Sequence, residues 1–168
     1  MLPIKITGTT GGYKISANMN IHYYHFIGND FAGPYEHFYT RWSNGDSTTT
    51  PSTDHADLGH TVFNPLSPNE FTVTTGYYTS PNYDVTFTKT GNGPTATYSN
   101  WAITFLAADV APGTTWATNI TVTDPPQFRP PGLVFNPNTQ YTYAQSLQLF
   151  RFYFHTATRA IADNYVHL

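Results

Sequence analysis

Alternation of apolar and polar side chains is the dominant pattern along this chain. The segment 35–42, YEHFYTRW, is an example. One alternating set consists of Glu36, Phe38, Thr40 and Trp42, and the other consists of Tyr35, His37, Tyr39 and Arg41. This period of two is that of a β-strand. Strand-like segments closed by Gly, Pro, Asn or Asp recur at 3–8, 12–16, 19–27, 60–64, 70–75, 83–90, 95–107 and 115–123. Short strands separated by turns, without alternating helices, are typical of antiparallel sheets. We therefore expect one antiparallel β-sandwich of jelly-roll or Greek-key type, a single domain over residues 1–168.

Three segments depart from this pattern. Residues 43–59 are almost free of apolar side chains and rich in turn formers, which predicts a long exposed loop. Residues 124–138 contain five prolines, which excludes a helix or a central strand and predicts extended surface coil. Residues 144–165 satisfy both strand and helix periods. There we expect a strand to about Thr156 and then a short C-terminal helix over 157–165.

Composition supports the all-β interpretation. Aromatic residues make up 17% of the chain, and these side chains, like the abundant Thr, suit half-buried strands better than helix surfaces. A chain of 168 residues is long enough for one packed core. There is no cysteine, so the fold depends on packing rather than on disulfides or thiolate-bound metal.

Charge and hydropathy exclude two classes of partner. Seven basic and ten acidic residues give a net charge of -3 without runs of either sign, so we expect no nucleic-acid partner. No apolar run approaches the roughly 18 residues of a membrane span, and we expect no transmembrane segment. Residues 1–15 lack the pattern of a secretory leader. This predicts a protein that is cytoplasmic or released without a leader peptide.

The histidines and carboxylates match no catalytic or metal motif that we can identify. His22 and His25 are three residues apart, which places them on opposite faces of a strand. The segment 54–60, DHADLGH, offers two histidines and two aspartates at a spacing unlike that of known zinc or calcium sites, and its default interpretation is a solvated loop. We therefore expect no metal, no cofactor and no enzymatic activity. A small metal-dependent enzyme that uses His22, His37 or His60 is a minor alternative.

Aromatic side chains next to amides and charges are the more informative feature. A saccharide site needs a flat ring that stacks on sugar C–H groups and polar side chains that bond to the hydroxyls. Trp101 lies beside an apolar run, so we expect it in the core and do not include it among the candidates for ligand binding. The candidate ligand-binding residues are Tyr39, Arg41, Trp42, Asn44, Asp46, Tyr77, Tyr78 and Asn82.

The whole-chain composition, cysteine-free and rich in Tyr, Asn and Thr, resembles that of small cytosolic fungal lectins and of the jelly-roll or projecting domains of viral capsids. Our first hypothesis is a non-enzymatic, lectin-like protein that binds glycans and gains avidity as a homo-oligomer. The alternative is a structural self-assembly protein, such as a capsid or fibre domain. A lytic protein that uses exposed aromatic side chains at a membrane surface is a third hypothesis.

Overall fold

The computed structural model describes residues 28–77 and 81–168. Within these residues 51% lie in strands, and the helices are two short ones, so the all-β prediction is confirmed. The strands are β1 Gly33–Trp42, β2 Thr53–Ser67, β3 Glu70–Thr74, β4 Asn82–Thr90, β5 Thr97–Phe105, β6 Val122–Phe128, β7 Tyr141–Thr142, β8 Arg151–Thr156 and β9 Ala160–His167. The helices are α1 Thr115–Asn119 and α2 Tyr143–Leu147, and a 3₁₀ turn spans Gly93–Thr95. Neither helix approaches the length that a bilayer crossing requires.

All nine strands belong to one antiparallel sheet in the order β6-β8-β9-β1-β2-β3-β4-β5-β7. Strand β2 belongs to both halves of the sheet. Its first part pairs with β1, and its end, from Asn64, pairs with β3. The sheet therefore curls into a half-barrel without dividing into two separate sheets. The antiparallel part of the prediction is confirmed, but the sandwich is not.

The curl buries a core of aromatic rings between the two halves of the sheet. Tyr35 on β1 stacks on Phe63 at 3.8 Å between ring centroids, and Phe63 stacks on Phe71 at 4.6 Å. Phe152 on β8 meets Tyr83 on β4 edge-on at 5.0 Å. Each buried ring removes about 150–250 Å² from water, and each pair contributes about 0.5–1.5 kcal/mol beyond that burial. Burial of these apolar rings therefore stabilises the curled shape of the sheet. The predicted core residue Trp101 is 3% exposed.

The C-terminal helix predicted over 157–165 is wrong, because β9 occupies Ala160–His167. The alternation of Ile161, Asp163 and Tyr165 as buried residues shows the strand period. β9 lies between β8 and β1, so pairing on both sides overrides the coincidental helical spacing. The strand expected to about Thr156 is confirmed over Arg151–Thr156, which is β8, whereas residues 144–147 belong to helix α2.

Three further differences have local causes. The loop predicted over 43–59 ends where β2 begins at Thr53, because backbone pairing with β1 does not require apolar side chains. The strand predicted over 115–123 is helical at Thr115–Asn119, where the Thr114 hydroxyl caps the backbone N–H of Ala117. The proline-rich segment predicted as coil begins within β6, an edge strand on which proline is tolerated. The segments predicted over 3–8, 12–16 and 19–27, including His22 and His25, lie outside the described residues.

Candidate ligand-binding grooves

A groove of about 330 Å³ lies on the face of the sheet that points away from the aromatic core. We call it the outer groove. It spans β8, β9, β1 and the beginning of β2. Its side chains come from every second residue of each strand, because alternate residues point to opposite faces. Its lining includes Phe38, Trp42, His55, Arg129, Arg151, Tyr153, Ala162 and Asn164.

Strand register sets two rows across this groove. Residues directly opposite one another in neighbouring antiparallel strands share a face. The first row consists of Phe38, Asn164 and Arg151, and the second consists of Thr40, Ala162 and Tyr153. Ala162 is the smallest side chain of the two rows. It therefore forms a low floor between taller neighbours.

A β-bulge in β2 places a histidine over the first row. Asp54 and His55 together oppose Thr40, and His55 has the left-handed backbone angle φ 46°. The backbone N–H of His55 donates to the Thr40 hydroxyl at 3.1 Å. The imidazole of His55 stacks on the ring of Phe38 at 4.8 Å with 2° between the planes. Left-handed backbone is unfavourable for a non-glycine residue, and bulges commonly redirect side chains beside functional sites.

Arg129 covers one side of the groove. Its guanidinium carbon lies 3.6 Å from the centre of the Tyr153 ring, a cation–π contact. Tyr153 itself is only 5% exposed, and its hydroxyl contacts the Ser47 hydroxyl at 3.3 Å. Tyr153 is thus a platform for Arg129. The backbone N–H of Arg129 donates to the carbonyl of Arg151 at 2.8 Å. This hydrogen bond places the two arginines side by side on adjacent backbone segments.

Trp42 borders the groove beside a turn over residues 43–49. Its indole N–H donates to the Thr49 carbonyl at 2.9 Å, and its ring stays half-buried. The side chain of Asn44 accepts from the backbone N–H of Asp46 at 3.2 Å. The hydroxyl and backbone N–H of Thr48 donate to the Asp46 carboxylate, which holds the pKa of Asp46 below its usual range. Asn44 and Asp46 therefore stabilise the turn.

A second groove of about 480 Å³ gathers three of the predicted residues, Tyr39, Arg41 and Tyr77. We call it the second groove. Tyr39 and Arg41 alternate with Trp42 along β1 and so point to the opposite face of the sheet. Tyr77 meets the ring of Trp116 edge-on at 5.1 Å. One part of the Tyr77 ring therefore packs against Trp116, and another part lines the groove.

The structure therefore does not bring all the predicted residues into one site. Trp42 lines the outer groove, whereas three others line the second groove. Asn82 lies at the start of β4, where its backbone N–H and its side-chain amide both donate to Asp109, at 2.7 and 3.0 Å. Tyr78 lies outside the described residues. The rings of Tyr39, Trp42 and Tyr77 are half-buried, so part of each ring is exposed to solvent.

A buried polar network lies behind the floor of the outer groove. Asp163, between the groove residues of β9, is 1% exposed. Its carboxylate accepts from His37 Nε2 at 2.7 Å, from the backbone N–H of Gly76 at 2.8 Å and from the Tyr83 hydroxyl at 2.6 Å. Burial, together with the Asp163 charge, raises the pKa of Tyr83 far above its usual range. The network fixes β9 against β1 and β4.

Sequence reasoning missed most of the outer groove. Its additional residues are Phe38, His55, Arg129, Arg151, Ala162 and Asn164. They come from five separate segments, and no local motif joins them. Within the segment DHADLGH, Asp57 accepts from the backbone N–H of Gly59 at 2.7 Å. Among the described residues, no group of three or more His, Asp or Glu side chains is arranged to hold a metal ion.

The interpretation of these grooves depends on their own geometry. Compared with models of known families, with characterised proteins and with solved structures, the chain matches none of them.

Proposed function

We propose that the protein is lectin-like and binds a saccharide in the outer groove. The observation that supports this proposal is the arrangement of flat rings around a small floor. Trp42 and the stacked pair of Phe38 and His55 border the depression above Ala162. Sugar rings present C–H patches that pack on such surfaces. The volume of about 330 Å³ falls within the usual range of small-molecule sites.

Polar side chains complete the proposed site at its edges. Asn164 and Arg151 share the first row with Phe38. An amide offers both donors and an acceptor, and a guanidinium offers five donors, so the two groups suit the hydroxyls of a pyranose lying on the rings. The exposed imidazole of His55 adds a further polar edge.

We further propose that binding occurs without a reaction. Among the described residues that line the groove, the one carboxylate belongs to Asp163. That carboxylate is held on the core side of the sheet by three hydrogen bonds. General acid–base catalysis of glycoside cleavage uses a pair of carboxylates at the bond. The described lining of the groove offers no such pair.

Useful avidity from a shallow site requires several sites in one particle, and we propose a homo-oligomer. The outer face carries exposed apolar side chains next to the groove, on β2 and at the end of the chain. Val62 is 49% exposed, Val166 43% and Leu168 51%. Strand register brings Val62 opposite Pro34 on β1, and the backbone N–H of Leu168 donates to the carbonyl of Pro34. Val62, Pro34 and Leu168 therefore form one patch. The same patch supports the alternative of a structural self-assembly protein.

A glycan array followed by calorimetric titration tests the binding proposal. The variant Ala162→Leu fills the floor of the groove from its solvent side, and Trp42→Ala removes a stacking surface. Ala102, an exposed residue on β5 that faces away from the core, provides the matched control Ala102→Leu. We expect Ala162→Leu to weaken binding at least tenfold, while Ala102→Leu binds like the original protein.

A blank array, or equal binding by the two leucine variants, would contradict the saccharide site. Light scattering tests the oligomer separately, and a monomeric mass would overturn that part of the proposal. Filaments or closed particles in electron micrographs, without glycan binding, would favour the structural alternative.

A further inference from the structure

We infer that the saccharide carries a carboxylate or sulfate group, an inference that rests on the function proposed for the outer groove. The first observation is the placement of arginine. The chain contains four arginines. Arg129 and Arg151 line the outer groove, and Arg41 and Arg159 line the second groove. A protein with a net charge of -3 thus concentrates its guanidinium groups at its two grooves.

Within the described part of the chain, no ion pair neutralises the arginines of the outer groove. Among the described residues, ion pairs join His37 to Asp163, Lys89 to Asp30 and His155 to Asp124. None of these pairs includes an arginine. Guanidinium groups are always charged at ordinary pH, so Arg129 and Arg151 have charge available for a ligand.

The nearby carboxylates have other partners. The side chain of Asp163 is fully buried on the core side of the sheet. Asp54 accepts from the Thr40 hydroxyl at 3.3 Å, and Asp57 accepts from the backbone N–H of Gly59 at 2.7 Å. In residues 28–77 and 81–168, no carboxylate that lines the groove competes with a ligand anion for the arginines.

The contact of Arg129 with Tyr153 also leaves its donors free. The ring covers one flat face of the guanidinium at 3.6 Å. The N–H groups of a guanidinium point outward in its plane, and they match the two oxygens of a carboxylate or a sulfate. Arg151 starts from the neighbouring backbone position, joined to Arg129 by the hydrogen bond of 2.8 Å. Two planar donors at one rim, beside flat rings, fit an acidic sugar better than a neutral one.

Matched pairs of saccharides test this inference on the intact protein. The carboxylate pairs are 3′-sialyllactose with lactose, and trigalacturonic acid with its methyl ester. The sulfate pair is 6-sulfo-lactose with lactose. We expect at least one acidic member to bind ten or more times as tightly as its neutral partner, and the pair in which this happens identifies the anion. Raising the salt concentration from 50 to 500 mM should reduce this advantage, because exposed charges are screened.

Arg129→Gln and Arg151→Gln remove one guanidinium each. We expect each to reduce the preference for the acidic member by a factor of about ten, because the loss of affinity for the acidic member exceeds any loss for the neutral partner. Lys89→Gln is the matched control, with the same change of charge at a surface ion pair on β4. Thermal unfolding of each variant confirms that it is folded.

Equal affinity for the acidic and neutral members of every pair would overturn the inference. If the neutral sugars still bind and Ala162→Leu abolishes their binding, the saccharide site stands and only its anionic preference is wrong. If no saccharide binds at all, the proposed function fails and the inference fails with it. A preference that survives both glutamine variants would also contradict it.

Discussion

Asp163→Asn tests whether the buried network behind the outer groove stabilises the fold. The substitution preserves the shape of the side chain and removes its charge. At present the carboxylate accepts three hydrogen bonds, from His37, from the backbone of Gly76 and from Tyr83. Asparagine keeps one acceptor oxygen and turns an amide N–H₂ toward the remaining partner.

The expected loss follows from the number of bonds. A hydrogen bond to a charged group contributes about 1.5–3 kcal/mol, whereas a neutral one contributes about 0.5–1.5 kcal/mol. Three bonds that each lose about 1 kcal/mol give a decrease of about 3 kcal/mol in the free energy of unfolding. For a chain of this size, that decrease lowers Tm by roughly 6–12 °C.

Urea unfolding followed by circular dichroism measures this change, and calorimetry gives Tm. The control is Asp54→Asn, because Asp54 is exposed and accepts one long hydrogen bond of 3.3 Å from Thr40. We expect the control to remain within about 0.5 kcal/mol of the original protein. If Asp163→Asn unfolds at the same urea concentration as Asp54→Asn, the network does not have the stabilising role assigned to it.

Three further predictions concern pH, capping and the core. Burial first, and then the neighbouring Glu70, raise the pKa of Asp84 to about 6, so its contribution to stability is present below about pH 4 and is lost as the pH rises through 6. Asp84→Asn should therefore have a higher urea midpoint than the original protein at pH 7.5 and a smaller advantage at pH 4. An equal difference in urea midpoint at the two pH values would refute this. Thr142 caps α2 in a capping box, and Thr142→Ala should lower the free energy of unfolding by about 1 kcal/mol, whereas Thr142→Ser should retain most of it. Phe63 is fully buried, and Phe63→Ala should cost about 3–5 kcal/mol in urea unfolding; a cost below 1 kcal/mol would show that the ring is not part of a close-packed core.

Local sequence patterns were sufficient where a strand is half-buried and its neighbours are close in the chain. The alternation in 35–42 corresponds to β1, and the segments at 70–75 and 83–90 correspond to β3 and β4. The five prolines of 124–138 excluded a central strand, and β6 is at the edge of the sheet. These predictions succeeded because side-chain period and proline chemistry act within a few residues.

Pairing decided what local patterns left open. Residues 157–165 have a helical spacing, but pairing with β8 and β1 on both sides makes the part from Ala160 onward a strand. The start of β2 at Thr53 is equally invisible in its polar sequence, because backbone hydrogen bonds to β1 form regardless of side chain. Both outcomes depend on partners distant along the chain.

The candidate site shows the same division. The sequence by itself determined an all-β protein with more rings than charges, and it indicated Trp42 as a residue that a ligand could reach. It could not join Phe38 to Asn164 and Arg151, which lie more than a hundred positions further along. Only the order β6-β8-β9-β1-β2 places those side chains on one face. Tertiary structure decides such a site because register between distant strands, which no local period encodes, selects the side chains that meet.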